Sequence, residues 1–245
     1  MKKIYVLALA SIFLFITLPH SALAVGIQIY NVSSEQALIN NWMNNLGGNV
    51  NVVEDFEGIE AGWYQTLGTN VGTFRLNDNT MAGTGSTSYK SQVDSTSNEA
   101  YFQIRGFDDN GRFNTTPDDG TKYLDSADIT SFTLDVVPGT YTNLFFFMTD
   151  PSDVRAKTSA SSNEMTAAID YKKSDGSLWF IGIDLGTDYI SQITWDVTYN
   201  EAGYTNDGFG LDGFSTVAVP EPLTLLLIGT GLTGLGLYRR RLRKQ

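Results

Sequence analysis

The stretch SFTLDV, residues 131–136, decides the fold class because it alternates polar and apolar residues throughout. The stretch ITWDVTY, residues 193–199, repeats this alternation with Trp195 among its apolar positions. Successive side chains of a β-strand point to opposite faces of the sheet. A period of two residues therefore predicts strands with one buried face and one solvated face.

Further β-rich runs are separated by clusters of Gly, Asn, Asp and Ser, a pattern that is typical of strands joined by turns. Many short strands without intervening helices predict a mainly β domain, an antiparallel β-sandwich of jelly-roll-like type. The segments 77–99 and 106–128 are predicted as long loops. Ile27-Gln28-Ile29 alternates briefly like a strand, and further predicted strands lie at about 50–56, 71–76, 100–105, 130–137, 142–149, 165–172, 177–184, 190–199 and 209–217.

One short helix is predicted near the start of this domain, over about residues 34–46. Ser33 to Gln36 has the pattern of a capping box with Ser33 at the N-cap. Leu38, Trp42 and Leu46 recur at intervals of four residues, and Gly47 follows as the expected C-cap.

Cysteine is absent, and His20 is the one histidine of the chain. His20 lies in the predicted signal peptide, so the mature domain has neither residue type. This excludes disulfides, Cys–His and Ser–His–Asp catalysis, and imidazole zinc sites. Carboxylate pairs could still hydrolyse glycosides, but abundant Asp and Glu make a chance pair inevitable, so we do not expect an enzyme.

The charge of the chain is unevenly distributed. Residues 25–218 contain 26 acidic and 9 basic residues, a net charge of −17, whereas the whole chain has −11. Such an acidic domain repels phosphate backbones, which argues against nucleic-acid binding. Solubility and cation binding are the two remaining interpretations.

Residues 1–24 have the parts of a secretory signal peptide. Lys2 and Lys3 are followed by an apolar run at 4–18 and by Ala22-Leu23-Ala24, a small-x-small cleavage site. We therefore expect signal peptidase to cut after Ala24, leaving residues 25–218 as an extracytoplasmic domain.

Residues 219–245 have the parts of a membrane anchor. Pro220, Glu221 and Pro222 favour an extended peptide, and an uncharged run follows at 223–238. As a helix this run is about 24 Å long, which spans a bilayer narrowly. The basic cluster after it predicts a cytoplasmic tail at 239–245 by the positive-inside rule. Its members are Arg239, Arg240, Arg241, Arg243 and Lys244.

The Pro-Glu-Pro segment, the GLTGLGL run at 231–237 and the basic cluster together resemble the PEP-CTERM sorting signal. The resemblance implies recognition of Pro220, Glu221 and Pro222 by an exosortase, a membrane-embedded transpeptidase-like enzyme. It also implies export across the inner membrane of a Gram-negative bacterium, often one that makes exopolysaccharide and biofilm. Similar tails occur on ice-binding proteins, but that likeness concerns the tail alone. The second half of the domain loosely resembles β-sandwich ectodomains of such proteins, a group with no established activity.

Two functions stay open for the domain. It is either a non-catalytic component of the cell surface or extracellular matrix, or a module that binds polysaccharide, with calcium as a possible partner. Trp63, Tyr64, Tyr101 and Phe107 are the candidate sugar-stacking aromatics. The candidate calcium ligands are Glu57, Asp207 and Asp212, because the first and last strands of a jelly roll lie side by side. The alternative is that Asp207-Gly208 is a turn and Asp212-Gly213 a bulge, with both acids solvated.

Overall fold

The computed structural model describes residues 26–77, 101–108, 112–115, 120–126, 129, 131–151, 155–160, 163–168, 176–198 and 208–218. These residues form fourteen strands and one helix, so the predicted mainly β class with one short helix is confirmed. In chain order the elements are β1 (Gly26–Asn31), α1 (Gln36–Leu46), β2 (Asn49–Glu54), β3 (Gly62–Tyr64), β4 (Thr66–Gly68), β5 (Gly72–Leu76), β6 (Phe102–Arg105), β7 (Tyr123–Asp125), β8 (Ser131–Val136), β9 (Asn143–Thr149), β10 (Arg155–Ala160), β11 (Asn163–Ala168), β12 (Leu178–Asp184), β13 (Gln192–Thr198) and β14 (Gly210–Ala218).

The strands form two antiparallel sheets. The first sheet has eight strands in the order β1-β12-β9-β14-β7-β6-β3, and β2 also pairs with β14. The second sheet has six strands in the order β11-β10-β13-β8-β5-β4. The first and last strands were predicted to lie side by side, and this holds for the predicted strand at about 50–56, because Asn49 to Glu54 pair with Ala218 to Phe214. The first strand of the chain, β1, pairs instead with β12.

The last eight strands pair as a nested series. β10 pairs with β11, β9 with β12, β8 with β13, and β7 with β14, so each pair encloses the previous one in the chain. Successive pairs alternate between the two sheets. The chain therefore crosses from one sheet to the other at nearly every turn.

The main core lies between the two sheets and is rich in aromatic side chains. Phe102 of the first sheet contacts Phe132 of the second with ring centroids 5.2 Å apart, and Phe146 contacts Trp195 at 5.5 Å. The buried face predicted at 131–136 is confirmed, because Phe132, Leu134 and Val136 are all buried in the core. On the face predicted to be solvated, Thr133 is buried as well, with its hydroxyl hydrogen-bonded to Asn77 and Thr194. Each fully buried apolar side chain contributes about 1.5–3 kcal/mol, so these contacts hold the sheets face to face as a sandwich.

Helix α1 packs on the outer face of the first sheet. It buries Ile39, Trp42 and Leu46 against Phe145 and Phe180 in a second, smaller apolar cluster. Trp42 meets Phe180 edge to face with centroids 5.4 Å apart. Gly182 makes this approach possible, because a Cβ atom there would lie 2.8 Å from the Trp42 ring.

Two details of the predicted helix are wrong. The helix begins at Gln36 rather than near residue 34, with Glu35 at the N-cap and no side-chain cap. The Ser33 hydroxyl instead donates to Asn31 Oδ1 at 2.5 Å, so it is not available to cap the helix. Leu38 is 45% exposed because the buried stripe starts one residue later, at Ile39. The predicted C-cap is confirmed, since Gly47 adopts a left-handed conformation with φ 71°.

Strands β3, β4, β7 and β10 were not predicted. Three of them have only three residues, too few to show a period of two, and β7 falls inside the predicted loop 106–128. The predicted loop 77–99 lies outside the described residues except for Asn77.

Candidate functional site

Two of the three predicted calcium ligands lie on or next to the paired strands β2 and β14. Glu57 follows β2, and Asp212 lies within β14. Asp207 lies outside the described residues. The residues around the two described carboxylates form what we call the clamped segment, residues 112–115 and 120–122.

Glu57 binds the second part of the clamped segment through a single oxygen. Its Oε1 accepts hydrogen bonds from the backbone amides of Thr121 at 2.6 Å and Lys122 at 2.5 Å, and from Asn114 Nδ2 at 3.2 Å. Lys122 Nζ in turn donates to the carbonyl oxygens of Glu57 and Ile59, at 2.9 and 2.6 Å. Hydrogen bonds to a charged acceptor are stronger than neutral ones, so Glu57 fixes the chain at 121–122.

Asp212 binds the first part of the clamped segment. Its Oδ2 accepts from the backbone amide and the hydroxyl of Thr115, at 2.6 and 2.9 Å. Its Oδ1 accepts from the amide of Gly213 at 2.7 Å. Asn114 and Thr115 are adjacent in the chain, so the structure brings Glu57 and Asp212 to the same short segment.

These hydrogen bonds give the carboxylates of Glu57 and Asp212 a structural role that needs no metal ion. Their oxygens accept N–H and O–H donors of the chain itself. Within the part of the chain that the structure describes, no group of three His, Cys, Asp or Glu side chains could hold a metal ion. Calcium binding by Glu57, Asp207 and Asp212 stays a prediction, because Asp207 lies outside that part.

A buried ion cluster beside the clamped segment was not predicted. Asp125 is fully buried, and its two oxygens contact Arg105 Nε at 2.6 Å and Arg112 Nη1 at 3.2 Å. Pairing of β6 with β7 places Arg105 beside this carboxylate, while Arg112 arrives from the clamped segment. The one hint of this cluster in the sequence is Arg105, a basic residue at the end of the predicted strand 100–105. A basic residue in such a position is more often solvated.

The four candidate sugar-stacking aromatics do not share one environment. Phe107 is 62% exposed, and the Arg105 guanidinium lies over its ring at 5.6 Å. Trp63, Tyr64 and Tyr101 are half-buried. Tyr64 packs against the main core, and its hydroxyl donates to the Glu60 carbonyl at 2.6 Å. Of the four, Phe107 offers the most ring surface to solvent.

Both predicted targeting segments lie outside the described residues. They are the signal peptide at 1–24 and the anchor at 219–245, which includes Pro220, Glu221, Pro222, Arg239, Arg240, Arg241, Arg243 and Lys244. The described helix α1 is too short to cross a membrane, and no other helix among these residues could do so. The described chain ends with Ala218, the last residue of β14.

Comparison with known proteins identifies one segment of the chain. No curated protein matches the chain. Residues 218–244 match the family model described as the PEP-CTERM protein-sorting motif. This confirms the resemblance of the Pro-Glu-Pro segment, the apolar run and the basic cluster. The chain therefore carries a PEP-CTERM protein-sorting motif, which begins at Ala218, the last residue of β14.

Proposed function

We propose that this chain is exported, anchored through residues 219–245 and cut by an exosortase, and that its β-sandwich is a non-catalytic domain of the cell surface or extracellular matrix. The sorting motif at 218–244 is the observation that carries the proposal. It implies export and processing. The basic cluster at 239–244 favours a cytoplasmic tail, which leaves the sandwich outside the inner membrane.

The position of the motif relative to the fold supports this function. Motif and sandwich share Ala218 at the end of β14, and the rest of the motif follows the last strand. Pro220, Glu221 and Pro222 therefore follow β14 in the chain, and none of them belongs to that strand.

The nested strand pairing supports a jelly roll as the fold of the exported domain. Two sheets joined by alternating, nested antiparallel pairs are the defining arrangement of that class. Jelly rolls include lectin domains, but fold alone does not establish ligand binding. Polysaccharide binding remains the alternative, with Phe107 as its best exposed residue. A glycan array on wild type and Phe107→Ala would test it.

The residue types of the domain support a non-catalytic role. Residues 25–218 contain no histidine and no cysteine. The described carboxylates of Glu57, Asp125 and Asp212 hold backbone amides, hydroxyls or arginines in place. This arrangement fixes loops and presents no nucleophile paired with a base.

Mass spectrometry of the surface fraction tests the proposed processing. In a host with an exosortase, the wild-type chain should lack residues 223–245, whereas Glu221→Ala should keep them and stay in the inner membrane. Glu60→Ala is the matched control, because Glu60 is an exposed acid of the sandwich outside the motif. An intact tail on surface wild-type protein would contradict exosortase cleavage.

A further inference from the structure

One end of the sandwich is defined by the last residue of β14. Ala218 pairs with Asn49 of β2, and Asn143 at the start of β9 binds Val217 through its side-chain amide. The loop 137–142 leads into β9, and the loop 185–191 follows β12. The two loops are joined by backbone hydrogen bonds from Leu185 to Thr142 and from Ile190 to Tyr141. We call this end, with residues 47–53, 137–142 and 185–191, the anchor end.

Each of the three segments of the anchor end carries an exposed apolar side chain. Val50 is 48% exposed, Val137 38% and Tyr189 56%. Tyrosine, with an apolar ring and a polar hydroxyl, is enriched where proteins meet the membrane–water interface. The anchor end thus presents apolar groups beside Ala218, the last described residue.

The anchor end also differs in charge from the rest of the domain. Asp188 is the one charged residue in the ranges 47–53, 137–142 and 185–191. Residues 25–218 as a whole have a net charge of −17. A strongly acidic surface is repelled by anionic lipid headgroups, and a nearly uncharged surface is not.

The chain itself limits how far the anchor end can lie from the bilayer. Four residues, 219–222, separate Ala218 from the start of the apolar run at 223. Ala218 and Leu223 are five Cα–Cα steps apart. A fully extended chain covers at most about 3.5 Å per step, so the link spans at most about 18 Å. When the run is in the membrane, Ala218 therefore lies within reach of the headgroup region.

We propose that the anchor end rests on the outer surface of the lipid bilayer, with Val50, Val137 and Tyr189 in the headgroup region, until the sorting segment is cut. This inference depends on the proposed anchoring through residues 219–245. The contact orients the sandwich and leaves the opposite end, with the first turn of α1, pointing away from the membrane.

Fluorescence quenching on the mature chain, residues 25–245, tests this orientation. The chain has no cysteine, so Val50→Cys, Val137→Cys and Tyr189→Cys each provide one labelling site. Each labelled chain is reconstituted into phosphatidylcholine vesicles that contain lipids with a nitroxide on the headgroup. Ala37→Cys is the matched control, since Ala37 is exposed and lies in the first turn of α1, next to the opposite end. Melting curves confirm that each variant is folded.

Labels at positions 50, 137 and 189 should lose several-fold more fluorescence than the label at position 37. Flotation of the same vesicles separates the two possible failures. A chain that does not float with vesicles would contradict the proposed anchoring. A chain that floats, but whose four labels are quenched equally or not at all, would overturn the orientation while leaving the anchoring intact.

Discussion

The outer face of the first sheet is covered in two different ways. On one side α1 covers this face with Trp42, which packs on Phe145 and Phe180. Residues 36–53, which include α1, contain no charged side chain. On the other side the clamped segment covers it with Arg112, paired to the buried Asp125. The two covers meet where Phe147 of β9 lies opposite Asp212 of β14. We call them the apolar cover and the charged cover.

The two covers are stabilised by different kinds of interaction. The apolar cover depends on buried area, which is non-directional and tolerates small shifts. The charged cover depends on Asp and Arg side chains that lose hydration free energy on burial. Only well-placed partners offset that loss. Removing one charged partner therefore costs more than its interaction contributed, because the others stay buried without it. The covers should differ most when single groups are removed.

The largest effect is expected for Asp125→Ala. This variant leaves Arg105 and Arg112 buried without their shared carboxylate, and breaking a buried ion pair typically costs about 3–5 kcal/mol. Urea unfolding of the purified sandwich measures the change. Asp135→Ala is the control, because its ion pair with Arg75 is exposed and should contribute about 1 kcal/mol or less. Equal losses in the two variants would remove the distinction between buried and exposed charge.

A smaller effect is expected for Asp212→Asn, which keeps the shape of the side chain and removes its charge. The amide cannot accept from Thr115 and Gly213 with both of its ends, so the free energy of unfolding should fall by about 2 kcal/mol. Limited proteolysis within residues 112–122 should accelerate as well. Unchanged cleavage there would show that Asp212 does not hold the clamped segment.

The apolar cover is tested by Gly182→Ala. The added methyl group would lie 2.8 Å from the Trp42 ring and force the helix outward, at a cost of about 1–2 kcal/mol. Gly58→Ala is the matched control, since no atom lies within 4 Å of a Cβ placed there. If both variants unfold at the same urea concentration, α1 is not packed closely against β12.

The smallest effect concerns pH and the exposed pair of Arg75 with Asp135. The hydrogen bond from Arg75 holds the pKa of Asp135 below its ordinary value of about 3.9, and a bond from Gln192 adds to this. The unfolded chain therefore binds this proton first as the pH falls, so the contribution is present above about pH 4 and is lost as the pH falls through the lowered pKa. Wild type and Arg75→Gln should differ by less than about 1 kcal/mol at pH 7 and converge in acid. A difference that persists at pH 2 would need another cause.

The sequence predicted what depends on local pattern. Alternation placed Phe132, Leu134 and Trp195 in the core because a strand imposes a period of two on its own residues. The charged cover was not predictable, because Arg105, Arg112 and Asp125 meet only through the pairing of β6 with β7 and the return of the clamped segment. Glu57 and Asp212 were singled out as calcium ligands, and the structure gives their oxygens amide donors from residues 115, 121 and 122. Contacts with backbone N–H donors cannot be predicted from the residue types in the sequence.

The place of β14 in the first sheet has a mechanical consequence. Over much of its length it has antiparallel neighbours on both edges, β9 on one and then β7 and β2 on the other. If residues 219–245 anchor the chain as proposed, a load on the domain enters at Ala218 and acts along this strand. Interstrand hydrogen bonds run perpendicular to the strands, so such a load shears many of them together instead of peeling them one after another. Flow that drags on the exported domain thus pulls on one of its best-held strands, and the rate of forced unfolding sets how long the domain stays folded on its tether.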